Sequence, residues 1–328
     1  MNVRENVKFS VGIWAFTPCG DRFSPQGYRK PLTMEEQFEL LSKVEELDGV
    51  ILQCPNVVNE DSVGKIKELL EDADLEAAAV DANLFSGEFA KGGFTNPDPG
   101  LRQKAIEIGT QTIRIAKELS THNVGLWLGQ DGFDYPFQAN HLKLWQWEIN
   151  AIRKIAAYDP SVRICIEYKV KEPRHHILIG DVAKGILTCR EVEKDNVGIT
   201  LDFGHALMSN ENPTESAWLL HKYKKLYSVH FNDSYRVDDD DMIAGTVHSW
   251  ETLELLMALE EMQYKGWYGF DIFPYREDIV ESTDLCIQNI KGLRRLLKKI
   301  NVEELKRLQG KLDFVKIHKL LREILYSD

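Results

Sequence analysis

Cysteine is scarce in this 328-residue chain. The five residues, Cys19, Cys54, Cys165, Cys189 and Cys286, are odd in number and never form a Cys-x-x-Cys pair. A disulfide framework and a structural zinc motif are therefore not expected, and a reduced, cytoplasmic protein with buried thiols fits best. No apolar run approaches the ~20 residues of a membrane span. The opening MNVRENVKFSVGIW has no long apolar core behind positive charge, so no signal peptide is expected. A Gly-x-Gly-x-x-Gly loop is also missing, which counts against an open dinucleotide-binding sheet. Positive charge is in deficit: 40 Lys and Arg stand against 52 Asp and Glu, for a net charge of −12. No basic stretch carries interleaved aromatics, so no nucleic-acid partner is expected. The run LRRLLKK at 293–299 lies on a helical pattern and reads as a solvated face.

What is present alternates. Eight short apolar runs are FSVGIWAF (9–16), GVILQC (49–54), EAAAVDANLF (76–85), NVGLWLG (123–129), VRICIEYK (162–169), VGITLDF (197–203), LYSVHFND (226–233) and WYGFDIF (267–273). Between them lie stretches whose apolar residues recur at three and four, the helical spacing. Several have plausible caps, such as Thr33 ahead of Glu36. Strands alternating with helices predict a parallel sheet, and eight is the number that closes a barrel. The expectation is an α/β fold, a (β/α)8 TIM barrel over residues 1–292, followed by a C-terminal helical tail over 293–328.

In such a barrel, chemistry collects where strands end. The fifth run ends with Glu167 and Lys169, two apart and hence on one face. The sixth ends in Asp202, with His205 three residues on. The seventh delivers His230, Asn232 and Asp233 and leads into Asp238–Asp241; the eighth delivers Asp271. Each alone has a bland reading: an ion pair, a satisfied core histidine, a solvated acidic loop. Together they send carboxylates and imidazoles from four successive strands to one rim. Such a cluster repels itself unless cations neutralise it. Oxygen-rich donors with a minority of imidazole suit Mg²⁺ or Mn²⁺. Five carboxylates (Glu167, Asp202, two of the Asp run, Asp271) balance two divalent ions plus Lys169.

These segments resemble the xylose isomerases and, more loosely, the rhamnose isomerases of the same superfamily. The likeness runs through FSVGIWAF, CGDRFSPQGYRKPLT, NLFSGEFAKGGFTNPDPGLRQKAI and VGLWLGQDG, and is densest in IEYKVKEPR, LDFGH, the HFND to DDDDMIAG segment and FDIF. The resemblance implies a first metal held by Glu167, Asp202, His230 and Asp271. It implies a second that shares Asp202 and adds His205 with an Asp-x-Asp pair. Met242 and Gly245 favour Asp239 and Asp241 for that pair, with Asp238 and Asp240 second. Lys169 matches the lysine that polarises the sugar carbonyl; Glu167, Asp271 and His205 complete the implied catalytic set. Trp14, Trp127 and Phe94 match aromatic pocket walls. Phe23 matches an aromatic lent by a neighbouring subunit, which implies a homo-oligomer, dimer or tetramer. The implied cofactor is Mn²⁺ or Mg²⁺, with Co²⁺ as a substitute, one or two ions per chain.

One position departs. Where xylose isomerases carry a ring-opening histidine–aspartate pair, this chain reads LQCPNVV, with Gln53 in the histidine's place. Glutamine can hydrogen-bond a sugar but cannot shuttle a proton. Ordinary pyranose aldopentoses are then expected to be poor substrates. The implied activity is aldose–ketose isomerisation by a metal-assisted hydride shift on a small-molecule sugar. The alternatives are a sugar 3-epimerase, or a metal-dependent lyase or deglycosylase acting on an oxidised (keto) sugar. A phosphodiesterase acting on damaged DNA is disfavoured by the acidic charge, and a non-enzymatic sugar-binding protein would need no Lys169.

Overall fold

Strands buried on both faces read as continuous apolar runs, and all eight runs contain strands. A computed structural model describes Val3 and residues 7–325. The remaining residues, which include the beginning of the segment read for a signal peptide and the end of the C-terminal tail, lie outside the described residues. The barrel strands are β1 (Phe9–Gly12), β2 (Gly49–Cys54), β3 (Glu76–Ala82), β4 (Asn123–Trp127), β5 (Arg163–Glu167), β6 (Val197–Asp202), β7 (Leu226–Phe231) and β8 (Tyr268–Phe270). Each pairs in parallel with its neighbour in sequence, and β8 closes on β1 with Phe9 opposite Tyr268. The chain is a closed eight-stranded parallel barrel flanked by helices, the (β/α)8 architecture.

Helices α1 (Met34–Leu41), α2 (Val63–Asp72), α3 (Pro99–Glu118), α4 (His141–Tyr158) and α5 (Val182–Val192) lie where the periodicity puts them. So do α7 (Pro213–Lys222) and α8 (Ser249–Glu261), while the six-residue α6 (Phe203–Met208) springs directly from β6. Thr33 forms a reciprocal cap on α1: Glu36 N–H donates to its hydroxyl at 3.2 Å, and Thr33 N–H donates to the Glu36 carboxylate at 2.7 Å. Helix α9 (Ile279–Leu297) runs unbroken through residue 292, and α10 (Val302–Gln309) and α11 (Phe314–Leu325) follow it. Gly132–Phe133, Lys171–Glu172 and His175–Ile177 form a small separate antiparallel sheet after β4 and β5. All five cysteines are buried and unpaired. Among the described residues, no helix is long and apolar enough to cross a membrane.

Candidate active site

The register of the barrel sets the levels of the site. Trp127 stands opposite Glu167, and Asp202 opposite His230. One ligand atom from each of Glu167, Asp202, His230 and Asp271 lies within 4.8 Å of the others. His230 Nδ1 is 3.2 Å from Glu167 Oε2 and 3.8 Å from Asp271 Oδ2. Gly269, next to His230 on β8, leaves the imidazole its space: a Cβ there would sit 3.0 Å from His230 Cδ2.

The run Asp-Phe-Gly-His is a strand end that caps its own helix. Asp202 is fully buried, and its Oδ1 accepts the His205 backbone N–H at 2.8 Å. Asp202 Oδ2 accepts the Asn232 amide at 2.9 Å. One turn of α6 brings the His205 ring back to the rim, with Nδ1 3.3 Å from Glu167 Oε1 and Nε2 3.3 Å from Asp239 Oδ2. The acidic run divides by side. Asp239 and Asp241 line the cavity. Asp238 pairs outward with Lys171 at 2.9 Å, and Asp240 accepts the Tyr235 backbone N–H at 2.7 Å. Asp241 takes the left-handed backbone, φ 45°, a strained conformation for a residue with a Cβ.

Lys169 is buried, 3% exposed. Its ammonium pairs with Asp239 Oδ2 at 2.5 Å and with Glu172, and sits 5.3 Å from the Trp127 ring centroid. The cavity above these groups measures about 490 Å³. Trp14 and Trp127 line it, together with Phe85, Phe273 and Tyr275. Trp14 donates its indole N–H to Asp271 Oδ1 at 2.6 Å. The wall requires Gly12, since a Cβ there would lie 2.1 Å from the Trp14 ring. Gln53 lines the same cavity.

Phe94 is a correction. It is fully buried in the core and does not line the cavity. Asp131 pins its neighbour, accepting the Thr95 backbone N–H at 2.7 Å and hydroxyl at 2.6 Å, so the chain turns Phe94 inward. Phe85 takes the wall position, edge-on to Trp127 at 5.0 Å between centroids. Asp81 and Glu172 also line the cavity and escaped the sequence reading. Asp81 had a signal, an acid within the apolar run that follows Glu76 in EAAAVDA; Glu172, in a two-residue strand, had none.

The donor chemistry fits a divalent cation. His205 Nδ1, His230 Nδ1 and Asp239 Oδ1 are buried without a hydrogen-bond partner, a costly arrangement unless something else fills it. Electrostatics point the same way. Burial alone would lower the imidazole pKa values, yet the surrounding carboxylates push His205 and His230 up to about 10. Burial and the charge of Glu167 push Asp271 up to about 8. Burial opposes the Lys169 charge, but Asp239 and Glu172 hold its ammonium well above the usual lysine range. Without a cation, then, the cluster is quenched by protons that coordination must displace. Because these groups lose protons as pH rises, Mn²⁺ affinity should rise with pH from 6 to 9. Calorimetric titration at pH 7, in buffers of different ionisation enthalpy, should show at least one proton released per Mn²⁺ bound. Binding without proton release would refute this ligand set.

The chain is similar to the xylose isomerase of Thermus thermophilus, 26% identical over 84% of this chain and 75% of that one. It is also similar to a probable sugar isomerase of Mesorhizobium japonicum, 26% identical over 80% of this chain and 64% of that one. Among solved structures, a D-tagatose 3-epimerase-like protein superposes with a TM-score of 0.66 at 20% identity, covering 88% of this chain and 99% of that one. Residues 43–296, most of the barrel, match a single family description, and the chain belongs to that family, the xylose isomerase-like TIM barrels.

Proposed function

We propose that the chain is a divalent-metal-dependent sugar isomerase that interconverts an aldose and a ketose. One observation carries the reading. Beside the quartet of Glu167, Asp202, His230 and Asp271 stands a second group, His205, Asp239 and Asp241, with Lys169 at its edge. A cation held by the quartet, Mn²⁺, Mg²⁺ or Co²⁺, would fix two sugar oxygens and polarise the carbonyl. The second group has the donors for a second ion.

The remaining work falls to the chain. Lys169 presents a fixed positive charge where O1 becomes negative during transfer. Trp14, Phe85 and Trp127 wall off water, so hydrogen moves directly between C2 and C1 rather than through solvent. Trp14 holds the Asp271 carboxylate in place through its indole N–H. The exposed ring of Phe23, 78% accessible, suits contact with a neighbouring copy and supports a homo-oligomer.

A second reading has one observation behind it. Glu167 and Asp271 are two carboxyls converging on one point, the arrangement a two-base 3-epimerase needs. The test separates the two. A panel of C2-deuterated aldoses, incubated with the Mn²⁺-loaded protein, should yield a ketose carrying deuterium at C1. Complete loss of label to water would sink the hydride route in favour of proton transfer, whereas exchange of a C3-deuterium from a ketose, with no aldose formed, would favour the epimerase.

A further inference from the structure

The cavity holds a carboxyl that neither cation group uses. Asp81 stands on β3 directly opposite Gln53 of β2 and Gly125 of β4. In-register neighbours on parallel strands point the same way, and both Asp81 and Gln53 line the sugar cavity. Gly125 makes room for the carboxyl: a Cβ there would lie 2.0 Å from Asp81 Oδ1. Gln53 is fixed as a donor. Its Oε1 accepts the Asn56 amide at 3.2 Å, which leaves its own N–H₂ for the cavity. The strand-two corner can therefore hold a sugar oxygen but cannot take its proton. Burial and the nearby Glu167 charge, opposed by His230, push the Asp81 carboxyl up to about 7.

We propose that Asp81 is the acid–base group that opens the ring of a cyclic sugar, with Gln53 holding the sugar beside it. The proposal rests on the sugar-isomerase reading for its substrate class. The protonated carboxyl passes its proton to the ring oxygen as the bond from that oxygen to C1 breaks. The C1–O1 bond becomes double as the O1 hydroxyl proton moves to the other Asp81 oxygen. The carboxyl ends protonated, as it began, and nothing is oxidised or reduced. Asp81 thereby supplies the proton transfer that Gln53 cannot.

Ring opening has its own assay, because anomers interconvert through the open chain without any hydrogen moving between C1 and C2. Freshly dissolved single anomers of aldopentoses and aldohexoses are followed by polarimetry with Mn²⁺-loaded protein. Wild type should accelerate anomerisation of the sugars it isomerises. Asp81→Asn, nearly isosteric, should lose at least ~10-fold of that acceleration, the scale of removing a positioned proton donor. Asp81→Ser is the second variant should the asparagine fail to fold. Asp81→Asn should lose the anomerisation while its Mn²⁺ affinity, read by titration, stays that of wild type, a split that a merely structural role for Asp81 does not produce. The proposal is overturned if both folded Asp81 variants anomerise as wild type does, or if wild type accelerates none of the panel. If wild type anomerises through Asp81 but converts no aldose to a ketose, the isomerase reading fails and the ring-opening role stands.

Discussion

Protein stripped of metal by exhaustive chelation is expected to have no isomerase activity and to keep its fold. Mn²⁺, Mg²⁺ or Co²⁺ should restore the activity. Loss is expected because, on the proposed reading, Glu167, Asp202, His230 and Asp271 would bind the sugar only through an ion between them. The fold survives because protons on His205, His230 and Asp271 quench the cluster when the ion leaves. Returning Mn²⁺ to 100 times its dissociation constant should stabilise the native state by about 2.7 kcal/mol, since the unfolded chain has no assembled site. Asp202→Asn tests the same point within the chain. Asparagine caps a helix as well as aspartate does, so α6 and the His205 position should persist. The lost charge should weaken Mn²⁺ binding by more than ~10²-fold, beyond what loss of a supporting partner costs. Chelated protein with no detectable metal and full activity would refute the site.

The strands were legible because a barrel strand is buried on both faces, so its apolar run is unbroken and short. The quartet was legible only jointly: each strand-end charge alone has a bland reading, but four successive strands send theirs to one rim. Helix α6 was not legible, because six residues are too few to show a helical period and its start is the Asp202 side chain rather than a sequence pattern. The short strands at Gly132–Phe133, Lys171–Glu172 and His175–Ile177 exist only by pairing with one another. Phe94 shows the limit for loops. Whether an aromatic faces the cavity or the core depended on Asp131, 37 residues away in sequence, gripping Thr95. The Asp238–Asp241 run was ambiguous by one residue in sequence. In space, Lys171 and the Tyr235 backbone draw two of the acids outward.

Lys169→Met is expected to lower kcat by ~10²-fold or more, the scale of losing a key electrostatic donor in a water-poor site. The quartet should keep its metal, because Lys169 supplies none of the four ligand atoms. The structure adds a consequence at the second group. The Lys169 ammonium sits 2.5 Å from Asp239 Oδ2, on the carboxylate that would join His205 in holding a second ion. Lysine and cation therefore compete for one negative charge, and each is repelled by the other. With methionine at 169, Asp239 keeps His205 as its one side-chain partner among the described residues, and the buried charge gains more from a divalent ion than before. Titration with Mn²⁺ should then show a tighter second binding step in the variant than in wild type, while turnover falls. A variant with unchanged kcat would remove Lys169 from the chemistry. Lower kcat with a weaker second step would mean that the lysine assembles the Asp239 site rather than competing for it.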